Sequence, residues 1–268
     1  MKGRVLIVAG SDSGGGAGIQ ADVKTVTALN GFAMTAITAL TAQNTRGVYG
    51  IHLVPESFIY KQMELVLDDI GADAVKTGML HSAGVIETVV AALEAAAPDV
   101  PLVADPVMVA KGGARLLEEA AMAAMRERLM PRATVITPNL PEAGALLDRT
   151  VAEVGDMEAA ARDLLAMGPQ AVFLKGGHLP GDRVVDVLAT AGGVVARFES
   201  ARIDTPHTHG TGCTLASAIA TGIAQGLPLP AAVARARAYV LEAIARAPGY
   251  GHGHGPLDHA HTVRDFQI

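Results

Sequence analysis

The stretch RVVDVLATAGGVVARFE, residues 183–199, decides how the chain folds. Two β-rich runs flank Ala191-Gly192-Gly193, a sequence suited to a hairpin turn, so the backbone reverses here and pairs with itself. Everything upstream follows another rhythm. Short runs rich in Val, Ile and Ala (Val5–Ala9, Phe32–Leu40, Ala74–Lys76, Leu102–Asp105, Val135–Thr137, Ala171–Lys175) alternate with longer helical patterns. That alternation predicts a mostly parallel sheet with helices on both faces. A hairpin in place of a further βα unit argues against an eight-fold barrel and for an open, doubly wound α/β sheet with an antiparallel edge.

The helices are expected at Ile19–Leu29, Pro55–Asp69, Ala83–Ala96, Leu116–Leu129, Met157–Met167, Thr214–Gln225 and Pro230–Arg246. In Pro55–Asp69 the spacing of Phe58, Ile59, Met63, Val66 and Leu67, continued by Ile70, predicts one buried face. No repeat or linker divides the chain, so one domain over residues 1–268 is expected. Only Gly249–Gly255 reads as loosely structured.

Composition narrows the function. The net charge is −6 and the 21 Lys and Arg are scattered, which leaves no basic stripe for nucleic acid. No apolar run approaches a membrane span, and the N-terminal run is too short for a signal peptide. The single cysteine, Cys213, rules out an internal disulfide framework and suits a reducing compartment. A cytoplasmic protein is expected.

Four stretches could bear chemistry. In His209-Gly210-Thr211-Gly212-Cys213-Thr214, glycines precede an apolar helix, where free backbone N–H groups and the helix dipole favour an anion. The dipole would also pull down the Cys213 thiol pKa and suit it to accept a proton. Packing of Cys213 as a small hydrophobe, with Thr211 as N-cap, accounts for the same residues. Gly10-Ser-Asp-Ser-Gly-Gly-Gly-Ala-Gly18 follows the first strand and superficially satisfies a dinucleotide fingerprint. Its glycines are contiguous, however, and no acidic residue stands at a ribose-binding distance, so a loop enclosing substrate fits at least as well. Asp105-Pro106 and Thr137-Pro-Asn-Leu-Pro-Glu142 end strands, where oxygen ligands suit hydrated Mg²⁺, although Asn139 could simply cap a helix opened by Pro141. Lys175-Gly-Gly-His178 puts a lysine at a strand end, where it could approach a nucleotide phosphate, although solvated surface lysines are far commoner. His252, His254, His259 and His261 read as tail histidines rather than metal ligands.

Taken in order, AGSDSGGGAGIQADVKT (9–25), ITALTAQNTRGV (37–48), KTGML (76–80), DPVMVAKGG (105–113), TPNLPEAGALL (137–147), LKGGH (174–178), HTHGTGCTLASAIA (207–220) and GHGHGP (251–256) resemble the hydroxymethylpyrimidine and phosphomethylpyrimidine kinases of thiamine biosynthesis, which have a ribokinase-like fold. The resemblance implies two ATP-dependent phosphorylations, of 4-amino-5-hydroxymethyl-2-methylpyrimidine and then of its monophosphate. It implies that Gln43 hydrogen-bonds the aminopyrimidine, helped by Gly10, Ala17 and Asp22, with Met79 and Val107 as apolar walls. It implies that Asn139, Glu142 and Lys175 serve ATP, with Asp105 and Glu142 reaching Mg²⁺ through water. Cys213 matches the family's base, with Gly210, Thr211 and Gly212 completing an anion hole. A homodimer is also implied. The chain departs from the family pattern at Arg237, where a lysine often lines the phosphate side, at Thr41 beside Gln43, and at His207. The competing readings are a pyridoxal kinase, a catalytically silent pyrimidine binder and a nicotinamide-dependent oxidoreductase.

Overall fold

The computed structural model describes residues 2–110, 113–114 and 116–264; Lys111 and Gly112 of the DPVMVAKGG stretch lie outside them. In chain order the elements are β1 (Arg4–Asp12), α1 (Gly18–Ala28), β2 (Phe32–Asn44), β3 (Gly47–Leu53), α2 (Glu56–Asp69), β4 (Ala74–Thr77), α3 (Ala83–Ala96) and β5 (Leu102–Ala104). There follow α4 (Ala121–Ala124), a π-helical turn (Met125–Leu129), α5 (Met130–Arg132), β6 (Val135–Ile136), α6 (Leu140–Leu147), α7 (Val154–Leu165), β7 (Ala171–Leu174), β8 (Arg183–Thr190), β9 (Gly193–Ala201), α8 (Thr211–Ala224) and α9 (Leu229–Ala245).

Among the described residues, one nine-stranded sheet runs in the order β3-β2-β1-β4-β5-β6-β7-β8-β9. The six neighbours β2, β1, β4, β5, β6 and β7 are parallel, and β8 and β9 form the antiparallel hairpin that residues 183–199 predict. The opposite edge is antiparallel too, because β3 folds back on β2. Alternation along β1 supplies both cores. Val5, Ile7 and Ala9 join the cluster that packs on α8 and α9, while Leu6 and Val8 join the one formed with α2, α3 and α7.

Several expectations need correction. The predicted helix over Leu116–Leu129 begins only at Ala121. Leu116 and Leu117 are buried from a loop, their amides bonded to Met108 O, so their apolar spacing is not helical. In α2 the buried face is Ile59, Met63 and Leu67, whereas Phe58 is 60% and Ile70 39% exposed. Gly249–Gly255 is tied down by hydrogen bonds to Thr45 and His209. Among the described residues, no helix is long and apolar enough to cross a membrane.

Strand order reverses between β1 and β4, one connection leading to β2 and the other onward through β4. In an open parallel sheet that is where a crevice opens at the carboxyl ends of the strands. Ala9 and Gly10 from β1, and Gly78 and Met79 just after β4, line that crevice.

Candidate active site

The crevice is a cleft of about 880 Å³, within the range of small-molecule sites. The amino end of α8 opens on it. Gly210 is the N-cap, in the left-handed region at φ 83°, and a Cβ there would sit 1.8 Å from Gly16 O, so only glycine allows the helix start to meet the loop after β1. Thr211 is therefore the first helical residue rather than the cap, its hydroxyl donating to Thr208 O at 2.7 Å. Gly212 brings its backbone near Asp105 and Lys175, since a Cβ there would lie 3.4 Å from both Asp105 Oδ2 and Lys175 Nζ. Backbone donors and a lysine thus converge where an anion could rest.

Cys213 opens on the same cleft, but its acidity runs opposite to the expectation. Burial pushes the thiol up to about 11; Lys76 pulls it down, while Asp22 and Asp105 push it further up. The helix terminus does not win, because the thiol, though it opens on the cleft, is largely enclosed by protein and has two carboxylates for neighbours.

Beneath it lies a buried ion pair. Lys76 Nζ, wholly inaccessible on β4, donates to both Asp22 oxygens at 2.9 and 2.8 Å, and Ser217, one turn beyond Cys213 on α8, donates to Asp22 Oδ1 at 2.7 Å. Burial lowers the Lys76 pKa, but attraction to the Asp22 carboxylate, with Asp105 adding to it, outweighs burial and the ammonium is retained. Asp22, expected at the substrate, is corrected by this geometry. It is fully buried and spends its oxygens on Lys76 and Ser217, so it supports the floor of the site instead of lining it.

The glycine loop after β1 is not a dinucleotide turn. Its amides at Gly14, Gly16 and Ala17 point at the carboxylate of Asp12, at 2.7, 3.0 and 2.8 Å, so they are not free for a pyrophosphate. His209 Nε2 donates to the same carboxylate at 2.9 Å, which ties the loop to the residue before the N-cap. Burial pushes the Asp12 carboxyl up, yet the bonds from His209 and Ala17 prevail and its pKa is lowered. Neither Asp12 nor His209 was singled out by spacing. Their partnership spans 197 residues, and only the hint that a histidine precedes the glycines is local.

Gln43 stands on β2 at the far side. Its Nε2 donates to Thr41 Oγ1 at 2.7 Å, and Thr41 Oγ1 in turn donates to Ser11 O at 2.9 Å. Because the threonine hydroxyl has given its proton away, it must accept from Gln43, which fixes the carboxamide's orientation. The departure at Thr41 therefore has a structural use. Gly10, Ala17, Met79 and Val107 line the cleft with Gln43, and Met79 packs with Ala39, Leu116 and Val107.

At the other end, β5, β6 and β7 deliver Asp105, Asn139 and Lys175. Asn139 and Glu142 form a capping box at the start of α6: Asn139 Oδ1 accepts from Glu142 N at 2.9 Å, and Glu142 Oε2 accepts from Asn139 N at 2.7 Å. The capping reading holds for these residues, and the pair also lines the cleft. Lys175 Nζ lies 3.1 Å from Asp105 Oδ1 and 4.0 Å from Glu142 Oε2. Burial pushes Glu142 up against the pull of Lys175. Arg237 reaches the cleft from α9, its Nε donating to Asp186 Oδ2 at 2.7 Å and its guanidinium 5.4 Å from the centre of the Phe198 ring.

The chain matches the family model described as phosphomethylpyrimidine kinase over residues 12–258. It is 52% identical, over 226 residues, to a hydroxymethylpyrimidine/phosphomethylpyrimidine kinase of Streptomyces coelicolor, covering 84% of this chain and 82% of that protein. It is 53% identical over 228 residues to the thiamine biosynthesis bifunctional protein ThiED of Geobacter sulfurreducens, covering 85% of this chain but only 46% of that longer protein. Among solved structures, an ADP complex of Bacillus subtilis pyridoxal kinase superposes with a TM-score of 0.90 at 38% identity, covering 97% of this chain and 98% of that one.

Proposed function

Because the chain belongs to the phosphomethylpyrimidine kinase family, we propose that its cleft holds ATP along the Asn139, Glu142 and Lys175 end and the pyrimidine along the Gln43 end, with phosphoryl transfer at Gly210–Cys213. The enzyme phosphorylates 4-amino-5-hydroxymethyl-2-methylpyrimidine and then the resulting monophosphate at the expense of ATP. What carries the residue-level reading is that Gln43, the α8 amino end with Cys213, and the Asn139–Glu142 pair all open on one cleft.

Each part has a task. Thr41 fixes the Gln43 carboxamide so that its oxygen remains for the amino group of the ring. Gly10, Ala17, Met79 and Val107 enclose the ring's apolar faces. As the substrate hydroxyl oxygen bonds to the γ-phosphorus and the bond to ADP breaks, charge gathers on the equatorial oxygens. The amides at Gly212 and Cys213, at the open start of α8, would meet it. In a loose transition state the hydroxyl proton leaves late, and Cys213 can take it only as thiolate, a form that grows as pH approaches about 11. Arg237, its fork already shared with Asp186, stands ready for the phosphate of the monophosphate substrate.

Among the described residues, no three His, Cys, Asp or Glu side chains converge as a metal cage. The oxygens of Asp105 and Glu142, with Lys175 between them, fit a hydrated Mg²⁺ reached through water. When bound, the ion would neutralise charge on the ATP phosphates. A cytoplasmic location and a homodimer complete the proposal.

Purified protein given MgATP should convert the hydroxymethylpyrimidine to its mono- and diphosphate, seen by product chromatography. Turnover of pyridoxal alone would overturn the pyrimidine assignment. Gln43→Ala should raise KM for the pyrimidine with little change in KM for ATP.

A further inference from the structure

The run Gly251-His-Gly-His-Gly255, which looks unstructured in the sequence and has no part in the reaction above, grips the chain beside Gln43. Thr45 lies two residues beyond Gln43, in the turn between β2 and β3. His252 N and Gly253 N both donate to Thr45 Oγ1 at 3.2 Å, and His254 N donates to Thr45 O at 2.8 Å. The glycines are required by that closeness. A Cβ at Gly251 would lie 2.4 Å from Thr45 Oγ1, and one at Gly253 would lie 2.2 Å from Thr45 O.

The other end of the run fastens to the helix start. Gly255 O accepts from His209 N at 3.1 Å, and Pro256 forms a parallel bridge with His209, the residue before the N-cap glycine. A Cβ at Gly255 would meet His207 Nδ1 at 2.3 Å. His254 lines the cleft between the two attachments and donates from Nδ1 to Pro206 O at 3.2 Å.

We propose that residues 249–256 are a strap that sets the span between the Gln43 end of the cleft and the anion hole, and that Thr45 is the positioning residue it holds. The inference rests on Gln43 as the pyrimidine ligand. Ser13 and Thr41 fix Gln43 relative to the loop after β1, with Gln43 N donating to Ser13 Oγ at 3.0 Å. The strap adds the remaining restraint, from the hairpin tip to α8. A substrate anchored by its ring must bring its hydroxyl to the phosphoryl group, and a displacement of about 1 Å in such an arrangement costs roughly 100-fold in rate.

The test compares Thr45→Val, Thr45→Ser, Gly253→Ala, Gly47→Ala and Gln43→Ala, each checked for fold by circular dichroism. Thr45→Val removes the hydroxyl acceptor at constant volume, so the question stays answerable if Gly253→Ala does not fold. Thr45→Val and Gly253→Ala should lower kcat/KM for the pyrimidine about tenfold or more, leave KM for ATP unchanged, and release more ADP than phosphorylated pyrimidine as water competes for the phosphoryl group. Thr45→Ser should restore coupling. Gly47→Ala, just past the same turn at the start of β3 but with nothing within 4 Å of a new Cβ, should behave as the parent. Equal coupling in the parent and in folded Thr45→Val, with Gln43→Ala still raising pyrimidine KM, would overturn the strap alone. An unchanged pyrimidine KM in Gln43→Ala would overturn both readings.

Discussion

At Cys213 two physical tendencies compete. A helix amino end stabilises a thiolate by its aligned N–H groups, and Lys76 adds a full positive charge nearby. Burial, with Asp22 and Asp105 close by, removes more than these supply, and the thiol is pushed up to about 11. The sequence displays the helix start plainly but not the two carboxylates, which arrive from α1 and the end of β5. That is why the direction of the shift was not legible. The consequence is measurable on the chain's single cysteine. Alkylation by iodoacetamide should be slower at neutral pH than that of a free thiol and should climb as pH approaches about 11. If Cys213 accepts the substrate proton, kcat should rise over the same range and the rise should vanish in Cys213→Ala. A rate of alkylation that levels off below pH 9 would contradict the burial argument.

Elements were legible where their apolar period was strong. Strands β1, β4, β5 and β7 and helices α1, α3 and α9 lie within a few residues of their predicted bounds, because each buries a continuous face that its sequence displays. Strand β3 was not, since at the sheet edge its side chains are mostly exposed and no alternation marks it. The false helical start at Leu116 shows the converse: buried leucines in a loop imitate a helical stripe. Cross-chain polar pairs such as Asp12 with His209 leave no periodic trace at all. The same holds for His259, bonded through Nε2 to Thr214 Oγ1 at 2.9 Å beside the first turn of α8. Burial lowers its pKa to about 4 from the ordinary 6.5, so the unfolded chain binds the extra proton first. Stability from this group is therefore full above about 6.5 and is lost as pH falls toward 4, by about 3 kcal/mol in all. Glu142, which burial pushes up, titrates in the opposite sense, so the comparison must be with a variant. In urea melts, the stability of His259→Gln relative to the parent should rise steadily from pH 7 to pH 4.5. A gap independent of pH would remove His259 as the acid-sensitive link.

For the whole molecule, the sheet has two exposed edges and they are not alike. Strand β9 exposes Val194 and Val195 but sets charged pairs among them, Glu199 with Arg183 of β8 and Arg197 with Glu158, the kind of device that discourages further pairing. The β3 edge carries Tyr49, 71% exposed, and Leu53, and the helix that follows it carries exposed Phe58 and Leu65. An apolar edge left open is an association surface, and the proposed homodimer places it there. This edge lies beside the Gln43 hairpin, so association would also steady the wall of the cleft to which the strap is fastened. Light scattering should give the mass of two chains for the parent, against 27.4 kDa for one. Tyr49→Asp with Phe58→Asp should reduce it to one chain while far-ultraviolet circular dichroism is unchanged. The monomer so formed should show a raised pyrimidine KM, because its hairpin has lost its outer support. A parent that scatters as a single chain at micromolar concentration would end the dimer proposal, and an undiminished dimer in the double variant would place the interface on another face.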